Sequence, residues 1–481
     1  MKQKYWLPLI FACVFAAGIW VGSLLQFGRF FHTTPGADKL MRVVNLINEN
    51  YVDEVSIDSI VESTIPLLLS NLDPHSSYIP PVDLEKEKSE LQGQFSGVGV
   101  SFMILNDTIN VIEVISGGPS EKMGILPGDR IIAVDGKNMT GKTVSNDDVF
   151  KALRGEKGTH VTITIKRLNT RTPLTFEVTR DDIPMESVDA SYMIKPGIGY
   201  IKISRFARNT YSEFLHAMGQ LKAEGAKSVI LDLRNNGGGY MEPSVLMANE
   251  FLAPHNLIVS TKGRNASKND HIISDGTGSF TDCGLVVLVN EFTASSSEIF
   301  SGAIQDNDRG WIIGRRTFGK GLVQNPIILP DSSEIRLTVQ RYYTPSGRSI
   351  QKSYTPGDLA SYDAEIIERY SKGETFNADS VKLHLDEEYL TSGGRKVYGG
   401  GGIMPDVFVP EDTSMITPYY IKVTNANLIS RFAYEYCDLN RGQLEKAKDV
   451  DQLLKRLPSN YVLLNSFVDF AIQNGVRAQW F

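Results

Sequence analysis

Residues 290–324, NEFTASSSEIFSGAIQDNDRGWIIGRRTFGKGLVQ, hold the side chains best suited to chemistry. Three serines, Ser295, Ser296 and Ser297, stand in a run of small residues before the helically spaced apolar residues of 298–305. The run 284–290, GLVVLVN, reads as a buried strand leading into that turn. A serine on a strand-to-helix turn is exposed at the helix N-terminus, where backbone N–H groups can hold an oxyanion. No histidine lies in the stretch, and the glycine-framed cation is Lys320. A lysine can serve as the base for a serine if it is neutral. Burial can bring its pKa down by roughly three from about 10.4, at a cost of about 4 kcal/mol. Phe318, Leu322 and Val323 are available as apolar walls.

A second anion-holding turn follows the apolar run 228–233, SVILDL. Arg234-Asn-Asn-Gly-Gly-Gly239 leads from it into helically patterned residues 241–251. It has neither G-x-G-x-x-G nor the lysine of a phosphate loop.

Together these motifs resemble the carboxy-terminal processing peptidases. The family's S-A-S-A-S-E-I corresponds to Thr293-Ala-Ser-Ser-Ser-Glu-Ile299, its T-F-G-K-G to Thr317-Phe-Gly-Lys-Gly321, and its glutamine to Gln324. Thr293 and Ser296 replace the first serine and the second alanine. The family nucleophile precedes the lysine by 25 residues, which selects Ser295, with Lys320 as base and Gln324 orienting the lysine. The family run D-L-R-x-N-P-G-G implies an oxyanion hole from the N–H groups of Gly238 and Ser296. Gly237, in place of the proline, leaves the first donor open by one residue.

Residues 94–180 follow another pattern. Gly117-Gly-Pro-Ser-Glu-Lys-Met-Gly-Ile-Leu-Pro-Gly-Asp-Arg-Ile131 resembles the PDZ signature, departing at Ser120 and Met123. Such domains capture a peptide C-terminus by strand addition. The carboxylate loop carried over is Gly97-Val98-Gly99-Val100. Ser145 reads as the N-cap of a helix over 146–153, and residues 161–166 and 174–178 as a closing hairpin. The run L-D-P-H-S at 72–76 resembles the segment before the PDZ domain in the same family, and His75 within it is a weak site candidate.

The elements that must position these residues divide the chain. Residues 1–28 read as an uncleaved membrane anchor: Lys2 and Lys4 precede an uncharged stretch long enough to span a bilayer, and the exit lacks a cleavage motif. Residues 38–92 are a helical segment, 93–182 the PDZ domain, 183–410 the peptidase core and 411–481 a helical extension. Within the core, residues 352–400 read as a polar, glycine-rich insertion of mixed order. The resemblance implies an α/β, crotonase-like core with an inserted, β-rich PDZ domain and flanking helices.

The net charge of −7 argues against nucleic acid as a partner. Cys13, Cys283 and Cys437 imply no disulfide framework, and no cluster has metal-ligand spacing, so neither metal nor cofactor is expected. The expected activity is that of a serine endopeptidase anchored in the cytoplasmic membrane, its catalytic part on the periplasmic side. It acts on proteins with apolar C-termini, and its terminal helices are candidates for homo-oligomer contacts. Two other classes remain for comparison. One is an anchored PDZ receptor on a silent or partner-dependent scaffold. The other is an acyl-CoA enzyme, which accounts for neither the PDZ pattern nor the export signal.

Overall fold

The computed structural model describes residues 34–168, 170–381 and 387–477, together with Ala12, Val14 and Phe15. The expected anchor over 1–28, with Cys13, otherwise lies outside the described residues. Among the described residues no helix is long and apolar enough to cross a membrane. The chain divides into two compact units, Met1–Leu69 and Ser70–Phe481.

The first unit holds the helix Pro35–Asn50, in which Pro35, with its preset φ, occupies the first turn. The helix Ile57–Ser70 begins in the same unit and carries Pro66 in its interior.

In the second unit, apolar runs set a sheet of six strands. Their order is Val188–Lys195, Ile198–Ile203, Ser228–Asp232, Gly284–Val289, Trp311–Gly314 and Val407–Phe408. All neighbours are parallel except the first pair. Helices Thr210–Ala223, Met241–Asn249 and Ser296–Asp306 supply the apolar cover, with Phe214, Phe251 and Phe300 fully buried against Ile201, Leu231 and Val287. Three adjacent parallel strands therefore end side by side. Their carboxyl ends lead into the loops at 233–240, 290–295 and 315–321, the usual place for a site in such a sheet.

An antiparallel sheet completes the core. In it Glu334–Tyr343 pairs with Leu322–Ile328 on one side, and with Ser77–Ile79 and Leu257–Gly263 on the other. The expected helical segment 38–92 also contains a short strand, Ser77–Ile79: Tyr78 faces Ile335 within the peptidase sheet. The PDZ fold is thus inserted between a strand of the core and the rest of it. Its sheet runs Val100–Leu105, Thr108–Val114, Arg130–Val134, His160–Lys166 and Leu174–Thr179. The helix Asn146–Leu153 starts on the Ser145 cap, with reciprocal Ser145–Asp148 bonds.

The described residues of 352–400 are more ordered than their composition suggests. They form the helix Leu359–Ser371 and a hairpin of Glu388–Leu390 with Lys396–Tyr398. The physical reason is charge pairing that a composition count cannot see. Glu365 meets Arg369 at 2.5 Å and Lys352 at 3.0 Å, while Arg316 meets Glu374 at 2.5 Å. The extension holds four helices, Pro418–Asn425, Leu428–Leu444, Val450–Arg456 and Asn460–Gln473. Its second helix lies on the PDZ sheet, with Asp438 on Arg130 at 2.6 Å and the Tyr434 hydroxyl donating to Asn110 at 2.9 Å.

Candidate active site

Ser295 caps the helix Ser296–Asp306 with φ 56° and ψ −117°, a conformation that costs a non-glycine residue on the order of 1–3 kcal/mol. The surrounding loops hold it there. Ala294 N–H donates to Asn236 O at 3.0 Å, Thr293 Oγ1 donates to Leu233 O at 2.8 Å, and Asn235 N–H donates to Asn290 Oδ1 at 2.9 Å. The rival serines are buried. Ser296 Oγ donates to Gly239 O at 2.8 Å and Ser297 Oγ to Asn236 O at 3.1 Å, whereas Ser295 keeps solvent access.

Gly238 lies against this turn, at φ 98°. A Cβ there would approach Ser295 Cβ to 2.7 Å and Ala294 O to 2.8 Å. Its own N–H is engaged, donating to Asn236 Oδ1 at 2.9 Å. The amides of Gly237, Gly239 and Ser296 have no acceptor among the described residues. The expected loop is therefore beside the serine, but the amide of Gly238 is in use in this conformation.

Glu298, three residues after Ser295, is fully buried and ties the two candidate groups together. Its Oε2 accepts from Ser295 N–H at 2.8 Å and from Lys320 N–H at 2.9 Å. Its Oε1 accepts from Gly319 N–H at 2.8 Å and from Thr317 Oγ1 at 2.5 Å. Burial pushes this carboxyl up to about 7 against those four bonds. Tyr342 makes a second bridge, its hydroxyl lying 2.6 Å from Lys320 O and 3.1 Å from Ser295 O. Burial also raises Tyr342 well above its ordinary range, which keeps it a donor.

The Lys320 amine is lowered, first by burial and then by Arg336, against the opposing charges of Glu298 and Asp73. No hydrogen bond joins Lys320 Nζ to Ser295 Oγ or to Gln324 among the described residues. Instead, Gln324 Nε2 donates to Thr338 Oγ1 at 3.3 Å. His75, from the turn at 73–76, stands beside this group. Its Nε2 meets Tyr362 Oη at 2.8 Å, and burial with the Lys320 charge lowers its pKa to about 3, leaving it neutral. Behind the glycine loop, buried Asp232 takes Arg234 Nη2 at 2.6 Å and Tyr200 Oη at 2.7 Å. Burial raises this carboxyl, but those bonds and Lys202 outweigh it and hold it below the usual range.

The model of peptidase family S41 matches residues 197–360, the PDZ domain model residues 111–167, and a family of unknown function (DUF8443) residues 419–480. A carboxyl-terminal-processing protease of a Synechocystis species is 34% identical over 81% of this chain and 94% of its own. The chain belongs to the carboxyl-terminal-processing proteases. A carboxy-terminal-processing protease of Bartonella bacilliformis is 36% identical over 63% of this chain and 70% of its own. A solved structure of a photosystem II D1 C-terminal processing protease aligns at 29% identity with a TM-score of 0.36, covering 67% of this chain and 92% of that one.

The chain is accordingly a serine-type peptidase with a PDZ domain, and it binds peptide or protein substrates. Gly97 ends a strand paired with Asp181–Pro184, and Gly99 adopts φ 76° against Ile183 and Pro119. Carbonyls of Val98 and Gly99 accept from Ser120 and Ile115, both at 3.0 Å, which aims them inward. The amides of Val98 and Gly99 have no acceptor among the described residues. Val100 starts the strand that pairs with Thr108–Val114.

Sequence reasoning passed over Glu298, Tyr342 and Asp73. A signal for Glu298 was present: a serine followed three residues later by glutamate is the capping-box spacing. Tyr342 and Asp73 are brought in by strand pairing far along the chain; Asp73 lies in the L-D-P-H-S run, but no local pattern reports that it reaches the site.

Proposed function

We propose that Ser295 is the nucleophile and Lys320 the general base of this peptidase. The observation that carries the reading is the single carboxylate of Glu298, which fixes the backbones of both residues while Ser295 alone of the three serines remains accessible. Neutral Lys320 takes the hydroxyl proton of Ser295 as Oγ attacks the peptide carbonyl. The oxyanion is held by the Ser296 amide and an open amide of the Gly237–Gly239 turn. The Lys320 ammonium then gives its proton to the leaving amine, and water hydrolyses the acyl-enzyme. Gln324 orients the lysine.

Because Nζ and Oγ are not hydrogen-bonded in this conformation, the catalytic contact forms on a rearrangement. Such bonds commonly tighten only with substrate bound. We assign the trigger to the PDZ domain, whose open Val98 and Gly99 amides suit the carboxylate of an apolar C-terminal tail. The export pattern at residues 1–28 supports an anchor that holds the catalytic part outside the cytoplasm. The helix Pro35–Asn50, with no buried residue, supports contacts between copies of the chain.

The test is cleavage of an unfolded protein with an apolar C-terminus by wild type, Ser295→Ala and Lys320→Ala. Cleavage by wild type alone is expected. Full activity in either variant would remove the assigned pair.

A further inference from the structure

Gln324 is the end of a polar chain that leads away from Lys320. Its Nε2 donates to Thr338 Oγ1 at 3.3 Å, and the Thr338 hydroxyl donates to Asp73 Oδ1 at 3.0 Å. Asp73 also accepts from His75 N–H at 2.8 Å, Ser76 N–H at 2.9 Å and Ser76 Oγ at 2.6 Å. Every neighbour of this carboxylate is a donor. Burial raises Asp73, but these bonds prevail and hold it below the usual carboxylate range, so it is ionised.

That ionisation gives the chain a direction. A hydroxyl has one proton, and Thr338 gives it to Asp73. Only a lone pair of Thr338 is then left for Gln324, so the amide must turn its NH2 group toward Thr338 and leave Oε1 as its free end. A carbonyl oxygen is an acceptor, the group that an amine or ammonium needs beside it. A reversed amide would repel the Lys320 ammonium and, in the neutral amine, would occupy the lone pair needed for the Ser295 proton.

We propose that Asp73 is a positioning residue of the catalytic site, acting through Thr338 to orient the Gln324 amide for Lys320 while placing a negative charge near the lysine. This rests on the reading of Lys320 as base and Gln324 as its orienting partner. The groups facing Lys320 are Glu298 from the helix Ser296–Asp306, Arg336 from the strand Glu334–Tyr343, and Asp73 and His75 from the turn. Since His75 is neutral, the turn contributes the charge of Asp73.

The test is the pH dependence of kcat and KM for the full chain acting on an unfolded protein with an apolar C-terminus, comparing wild type, Asp73→Asn and Lys320→Ala. Removing the negative charge eases deprotonation of Lys320. In Asp73→Asn the rising limb of kcat/KM should therefore move to lower pH by roughly half a unit or more. Its plateau kcat should fall about tenfold through the misaligned amide, with KM little changed. A limb at the wild-type pH overturns the proposal even if kcat falls, because a merely structural turn lowers activity without moving the limb. Activity in Lys320→Ala would bring down the assignment of the base. An unmoved limb beside an inactive Lys320→Ala brings down the role of Asp73 alone. If Asp73→Asn fails to fold by circular dichroism, Thr338→Val and Thr338→Ser decide. A loss of kcat in the valine variant that serine restores supports the relay, and equal kcat in both overturns it.

Discussion

The two functional regions of this protease are held together by different physics. Around Ser295 and Lys320, one fully buried carboxylate takes four donors, and a buried tyrosine hydroxyl bridges the same two residues. Between the PDZ sheet and the C-terminal helices the contact is more open: Asp438 is buried, but its partner is not. The Arg130 side chain is 28% exposed, and a cavity of about 560 Å³ remains between the layers, lined by Met103, Pro127, Tyr434 and Leu444. A buried network is costly to open because each orphaned donor loses roughly 1–3 kcal/mol. An ion pair near solvent is cheap to exchange for water. The loops of Ser295 and Lys320 are thus the rigid partner and the PDZ contact the adjustable one, as the proposed rearrangement requires.

The sharpest way to break this contrast is Glu298→Gln. The amide NH2 must then face either the Ser295 and Lys320 amides or the Gly319 amide and Thr317 hydroxyl, so the loops of the pair lose at least one backbone anchor. Activity on an unfolded protein should fall at least about a hundredfold, since small misplacements of reacting groups cost that much. Thermal unfolding should also shift downward. Wild-type activity would mean that the bridge is not what fixes the pair. Close behind stands Gly238→Ala. The new Cβ meets Ser295 Cβ at 2.7 Å in a backbone region closed to alanine. A loss of about 3 kcal/mol or more in denaturant unfolding is expected, together with loss of activity.

Much of the rigid region was readable in sequence because its residues lie in two short motifs. The strand runs 228–233 and 284–290, the turn serines and Lys320 are local patterns, and the parallel sheet brings their ends together. What stayed hidden is what depends on pairing at long range. Ser77–Ile79 joins the strand Glu334–Tyr343, and that pairing delivers Asp73 to Thr338. The order of residues 359–371 was hidden for the same reason. Its polar composition suggested a loose insertion, yet Arg369 is buried and donates to Thr317 O at 2.8 Å and Phe318 O at 3.0 Å, directly under the Lys320 loop. In the PDZ domain the Ser145 cap was legible, while the docking of Asp438 on Arg130 was not, since neither residue carries a local signature.

Arg369→Ala tests that hidden support. It orphans two loop carbonyls and takes one partner from Glu365, which keeps Lys352 at 3.0 Å. A loss of about 2–4 kcal/mol in unfolding free energy, with a drop in kcat, is expected, and unchanged kcat would detach the helix Leu359–Ser371 from the site. A pH series sharpens the same point with a smaller effect. The Glu298 carboxyl is raised to about 7 in the folded chain, above its unfolded value of about 4.3. Its contribution to stability is therefore fully present below about pH 4.3 and is lost as pH rises through about 7. The melting temperature of wild type should decline across that window relative to Glu298→Gln, which has no proton to lose there. Parallel curves would place the titration elsewhere.

The smallest effect should come from the adjustable contact. Arg130→Ala removes the pair with Asp438 but leaves the Tyr434–Asn110 bond and the apolar layer in place. Asp438 is buried and keeps only Arg441 among the described residues, at 3.5 Å, so the loss of global stability should be about 1–2 kcal/mol. What should change is local. Hydrogen exchange should quicken in the strand Arg130–Val134 and the helix Leu428–Leu444, while amides of the helix Ser296–Asp306 keep wild-type protection. If those buried amides exchange faster as well, the two regions are one cooperative body, and the division between a rigid site and an adjustable PDZ contact is wrong.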